Sequence, residues 1–291
     1  MQNILNLEAV TRVSSRSTHS AFTDLCAHPA GFLCCYRQAQ NHMSADGSIE
    51  ISLLTTAGDI LQRQRLAITD VDLRDPKLAV DENNRFWLTA FSNLKQAKPV
   101  SACTTMLSWF SDDGYSWSSV HRFGESEWWI WRTQWHRGQA YGFAYNQPSE
   151  QLCLCVGHPN RQMHRVVKPV LSHQKHGLGY PNETALYIDN AGLMTALVRR
   201  DADSFSAQIG QSHFPYTRWN WQDLDEYVGG PDFIMLDKNY ALVAGRNWTG
   251  SACHTQLWLL DISAVTLTKL FTLPSAGDNS YPGMVLDGNT L

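Results

Sequence analysis

Glu183 and Arg199 frame the stretch YPNETALYIDNAGLMTALVRR, residues 180 to 200. Its middle alternates apolar and polar residues around a DNAG turn, Asp189 to Gly192. That pattern predicts an antiparallel hairpin, with the start of its first strand beside the end of its second. Glu183 and Arg199 would then share one rim, opposite the turn. A carboxylate there can serve as a base, and a guanidinium can grip a planar anion or a row of hydroxyls. Arg200, the next residue, should face the other way, toward solvent or an adjacent blade.

Other strand ends carry comparable chemistry. Arg37 closes FLCCYR, Tyr145 closes QAYGFAYN, and Arg246 closes YALVAGR. Strand starts bring Asp24, Asp75 in RDP, Arg132 after WWIW, Asp232 and Tyr281. His42 follows the second hairpin strand of the first repeat and has an intrinsic pKa suited to proton transfer. Each has a plainer reading. Asp75 can fix Arg74 or cap its strand, His42 can stabilise its loop, and the aromatics beside Arg132 can be packing rather than a sugar platform.

The elements that must position these groups recur about every fifty residues. The entrances read FTDLCAH, RDPKLAV, WRTQWHR, PNETALY, GPDFIML and YPGMVLD. Each leads into a short apolar strand, a Gly/Asp/Asn turn and a second apolar strand. A fifty-residue, strand-built repeat is a blade of a β-propeller. Six entrances predict an all-β, six-bladed β-propeller in one domain, with blades near 19–69, 70–122, 123–172, 178–224, 225–273 and 274–291. The last entrance stands close to Leu291, so blade six is expected to lack strands, with the segment before residue 20 as a source of one. All entrances then converge on one mouth of the central channel, the usual binding site of such a fold. In FSDDGYSWS, Asp112 is expected to cap a turn, Gly114 to supply its unusual dihedral, and Trp117 to pack beneath. TTAGDIL and FPYTRWNW look like worn versions of that turn.

Composition excludes several alternatives. A net charge of −4 gives no basic field for nucleic acid or an acidic membrane. No apolar run is long enough to span a bilayer. The first residues lack a signal-peptide layout, which suggests a cytoplasmic protein with reduced thiols. There are seven cysteines but no CxxC pair, so neither a zinc site nor a cofactor is expected. The sequons at Asn182 and Asn247 read as chance without a secretion signal.

The Asp-box turn, the six entrances and a Glu followed along its hairpin by an Arg resemble the sialidase (neuraminidase) superfamily. NETALYIDNAGLMTALVR resembles the segment carrying that family's conserved Glu and its second carboxylate-binding Arg. FTDL, YRQAQNH, RDPKLA and SYPG are similar to a divergent bacterial sialidase-like group. The resemblance implies Tyr281 as nucleophile, Glu183 as its base, and Arg199 and Arg246 as carboxylate ligands. The family's first arginine is replaced by Thr23, and Arg37 stands where its acid/base Asp is expected. Asp75 and His42 are candidates for the missing acid, and Arg37, Arg132 and Tyr145 for added substrate contacts. The implied function is retaining hydrolysis of a terminal acidic sugar. The alternative is a non-hydrolytic carbohydrate-binding propeller that has lost its acid/base.

Overall fold

Five antiparallel sheets of four strands each follow one another along the chain. They are seen in a computed structural model that describes residues 5–14, 19–94, 104–177, 179–201, 206–275 and 279–291. Blade 1 holds β1 (His19–His28), β2 (Gly31–Ala39), β3 (Ser48–Leu54) and β4 (Ile60–Leu66). Blade 2 holds β5 (Val71–Val80), β6 (Phe86–Leu94), β7 (Thr105–Ser111) and β8 (His121–Phe123). Blade 3 holds β9 (Trp129–His136), β10 (Gln139–Asn146), β11 (Gln151–Gly157) and β12 (Met163–Ser172). A single helical turn, α1 (His173–His176), leads to blade 4: β13 (Tyr180–Ile188), β14 (Leu193–Asp201), β15 (Gln208–His213) and β16 (Asn220–Asp223). Blade 5 holds β17 (Gly229–Met235), β18 (Tyr240–Trp248), β19 (Cys253–Asp261) and β20 (Thr266–Thr272).

The architecture is therefore a β-propeller, but with five blades rather than the six expected. The sixth entrance exists without a sixth blade. After Tyr281 the described residues form only an isolated bridge, Asp287 to Thr290. No strand precedes His19 among the described residues. Instead Val13 lies beside β4, its carbonyl accepting from Arg63 at 2.5 Å.

Apolar side chains from adjacent sheets interlock between blades. Leu33, Ile51, Leu73 and Leu88 join blades 1 and 2, and Trp87, Phe123, Trp135 and Met163 join blades 2 and 3. Comparable clusters join blades 3 and 4 and blades 4 and 5. Between blades 5 and 1, the segment 279–284 makes the connection. Ser280 Oγ donates to Gly229 O at 2.9 Å, Met284 N to Asp232 Oδ2 at 3.1 Å, and Thr23 Oγ1 to Tyr281 O at 2.6 Å.

Every inner hairpin carries a β-bulge at its entrance. The ladder shifts between Ala21 and Asp24, Arg74 and Lys77, Pro181 and Thr184, and Gly229 and Asp232, and at Gly142/Ala144 of β10 opposite Trp131 and Arg132. Two residues of the innermost strand thus oppose one on its neighbour, and the chain turns toward the axis. Phe22, Asp75 and Gly230 take left-handed φ values of 57°, 46° and 56° at the first bulge position. Tyr281 has φ 62° at the matching place in the sixth entrance. For residues other than glycine this backbone is strained and persists because packing enforces it.

The Asp-rich turn of blade 2 is capped one residue later than expected. Asp113 Oδ1 accepts from Tyr115 N and Ser116 N, both at 2.7 Å, and these bonds hold its pKa down at about 2. Asp112 instead pairs with Arg85 at 2.6 Å. Gly114 has φ 73°, and Trp117 packs against the core between blades 1 and 2. No helix among the described residues is long and apolar enough to cross a membrane.

Candidate functional site

The bulge of blade 4 sets Asn182 and Glu183 together opposite Arg199. Glu183 Oε2 accepts from Arg199 Nη1 at 2.6 Å and from Gly230 N at 2.8 Å. Arg199 Nη2 and Nε also reach Asp201 Oδ1, at 2.9 and 3.0 Å, and Asp201 Oδ2 accepts from Asn182 at 2.7 Å. All three guanidinium nitrogens of Arg199 are thus engaged by carboxylates. Arg200 faces away, as alternation requires, yet it is fully buried. It donates to the carbonyls of Gly177 and Gly179 and to Gln208.

Tyr281 closes the axis beside this pair. Its ring packs on Phe22 at 4.9 Å and Trp131 at 5.5 Å, with the Arg246 guanidinium 5.4 Å from its centroid. Burial first, and then the Glu183 charge, push its phenol well above the ordinary range. Among the described residues Tyr281 and Glu183 are not hydrogen-bonded to each other. Arg246 is anchored by Nε and Nη2 to Asn279 O at 2.9 and 2.7 Å.

Asp75 is 7% exposed, and its Oδ1 is buried without a hydrogen bond. Desolvation raises its carboxyl to about 7; nearby Lys77 opposes the shift and Glu183 adds to it. Lys77 is itself buried, which lowers its pKa, and it donates to Thr23 O at 3.1 Å. Lys77 was not anticipated from the sequence, although its place after RDP carried the signal.

The other candidates are held by neighbours around the axial group. Arg37 is fully buried, bonded to Asp72 at 2.8 Å and to the carbonyls of Asn41 and Ser44. Arg132 reaches across the axis, donating to Asp24 Oδ1 at 2.8 Å and Pro282 O at 2.6 Å, with Asp232 at 3.5 Å. Burial raises Asp232 while Arg132 opposes the rise. Arg132 therefore clasps blades 1, 3 and 5 to the last segment. His42 meets Phe22 edge-on at 5.0 Å, so its contact with Tyr281 runs through that ring. Asp46, in the same loop, accepts from Gln40 N at 3.2 Å and is held below its ordinary pKa by Ser44.

A cleft of about 410 Å³ opens between blades 2, 3 and 4. One wall is a column of Phe91, Trp129 and Tyr145, with centroids 4.0 and 5.6 Å apart and rings nearly parallel. Both faces of Trp129 are covered, so the column presents edges rather than a flat platform. Tyr180, Glu127 and Asp201 also line the cleft, and Glu183 and Arg199 reach it from the axis. Trp131, beside Arg132, is buried against Tyr281 and Lys77. Glu127, Tyr180 and Asp201 were not anticipated, though Asp201 directly follows the Arg pair. Among the described residues no group of side chains could hold a metal ion.

No family model matches the chain, and neither does any curated protein. Solved structures do. A protein of unknown function from Dyadobacter fermentans superposes with a TM-score of 0.74 at 13% identity, over 92% of this chain and 87% of that one. A Hadza microbial sialidase gives 0.66 at 12% identity, over 90% of this chain and 60% of the sialidase. An exo-β-1,3-galactanase from Phanerochaete chrysosporium gives 0.54 at 10%, over 85% and 62%. At such identities the likeness shows the fold: the chain is a β-propeller similar in structure to glycoside-hydrolase propellers with different substrates.

Proposed function

We propose that the chain is a glycoside-hydrolase-like propeller. It seats a terminal sugar in the cleft between blades 2, 3 and 4 and offers the glycosidic bond to the axial group. The observation that carries this reading is the double membership of Glu183, which lines the cleft and accepts from Gly230 N, the residue against the Tyr281 ring. A cavity of this size with an aromatic wall and convergent polar groups suits a monosaccharide unit. Asp75 keeps its proton up to about pH 7, as a general acid must. In this reading Tyr281 attacks the anomeric carbon while its proton passes to Glu183. Asp75 protonates the departing oxygen, and water then releases the sugar from Tyr281 with the proton transfers reversed.

The non-hydrolytic alternative draws support from the missing Tyr281–Glu183 hydrogen bond and from the raised phenol pKa, both of which leave the nucleophile unactivated. A panel of aryl glycosides carrying neutral, amino and acidic sugars separates the two. Turnover of at least one is expected, with Glu183→Gln lowering it by about 10²-fold or more. Sugar binding without aryl release between pH 4 and 8 would establish the binding module instead.

A further inference from the structure

The charge of the cleft is opposite to that needed for an acidic sugar. Its lining holds Glu127, Glu183 and Asp201 against one cation, Arg199. Arg199 already gives every guanidinium nitrogen to Glu183 and Asp201. Glu183 is 7% exposed, and its Oε1 has no hydrogen-bond partner among the described residues. The Glu127 carboxylate likewise has no partner among them, although that residue lines the cleft. Carboxylate oxygens that line a cleft and take no donor from the protein are available to a ligand that brings one. The neighbouring cations are occupied elsewhere: Arg246 on Asn279 O, and Lys77 on Thr23 O. A ligand carboxylate entering here would meet surplus negative charge beside apolar walls that weaken screening.

Resting on the reading that this cleft holds a sugar, we propose that its ligand is an amino sugar with a free ammonium group, the terminal unit of a deacetylated hexosamine glycan. The ammonium supplies three donors and a positive charge to the Glu127 and Glu183 carboxylates. The sugar ring lies along the edges of the Phe91–Trp129–Tyr145 column. N-acetylation removes the charge and two of the three donors, so it should weaken binding. Asp201 stays with Arg199 and Asn182 and keeps the arginine from serving a ligand anion.

Titration calorimetry at pH 6 with glucosamine trimer, N-acetylglucosamine trimer and sialyllactose tests this. The deacetylated trimer should bind at least about ten-fold more tightly than either of the others. Glu127→Gln should weaken that trimer by about two- to five-fold and leave the N-acetylated one unchanged, as for one partly exposed charge. Trp129→Ala, with its fold checked by circular dichroism, should weaken every sugar. Equal or tighter binding of the N-acetylated or sialylated ligand that is still lost in Trp129→Ala overturns the ammonium assignment while leaving the cleft as a sugar site. Binding that Trp129→Ala leaves unchanged, or no binding of any of the three, removes the cleft reading and this inference with it.

Discussion

Replacing Asp75 with asparagine should stabilise the protein at alkaline pH and not at acidic pH. Asn keeps the size and tolerates the left-handed backbone at this position. The folded pKa of about 7 lies above the unfolded value near 3.8, so the folded chain holds this proton more tightly. Below pH 3.8 both states are protonated, and no ionisation penalty exists. Between those values the unfolded chain releases the proton first, and each pH unit removes up to about 1.4 kcal/mol of stability. Above pH 7 the full penalty is in place, about 4 kcal/mol at most for such a shift. In the variant Lys77 loses a counter-charge, which cuts the gain to roughly 2–3 kcal/mol. Urea unfolding followed by tryptophan fluorescence, at pH 4, 6 and 8.5, reads the difference directly. Near-identical stability at pH 4 and a widening advantage for the variant toward pH 8.5 are expected. Parallel curves, or a less stable variant at pH 8.5, would refute the burial argument. The same substitution should abolish any turnover that depends on Asp75 as acid, so stability and activity should move in opposite directions.

Two further perturbations test the ring closure. Arg132→Ala leaves buried Asp24 and partly buried Asp232 without their shared cation and should cost about 3–5 kcal/mol in the same unfolding assay, with Asp24→Asn recovering part of it. Gly283→Ala places a Cβ 2.0 Å from Leu25 N, backbone that cannot swing aside, so the 279–284 segment must shift; a loss of about 1–3 kcal/mol and faster amide exchange in β1 are expected.

The propeller was legible because each inner hairpin announces itself locally: a polar entrance, an apolar strand, a turn, a second apolar strand. The same locality misled the count. SYPG repeats the entrance and even its left-handed backbone, but an entrance does not make a blade without three more strands. The bulges also scattered the entrance markers. Asp75 and Tyr281 hold the first bulge position, Arg132 and Glu183 the second, and Asp24 and Asp232 the ladder position after it. Strict alternation cannot track an inserted residue. The Glu183–Arg199 pairing followed from one hairpin and was therefore readable. The fates of Arg37 and Arg132 were not, because their partners Asp72, Asp24 and Pro282 come from other repeats. Nor could local pattern reveal that Asp75 is largely withdrawn from water, which depends on the packing of the whole axis.

The bulge separates two inheritances in each repeat. Residues paired on the ladder must preserve strand register, while the extra residue at the bulge answers only to the axis. Phe22, Asp75, Trp131, Asn182 and Tyr281 occupy that freer place, whereas Gly230 is held to glycine because a Cβ there would lie 2.6 Å from the Tyr281 ring. A lineage could exchange these five and rewrite its chemistry with every sheet intact, so likeness of fold would outlive likeness of substrate. A library randomised at these positions alone, within side chains that accept a left-handed backbone where one is required, would explore new specificities without the failure that strand mutations bring.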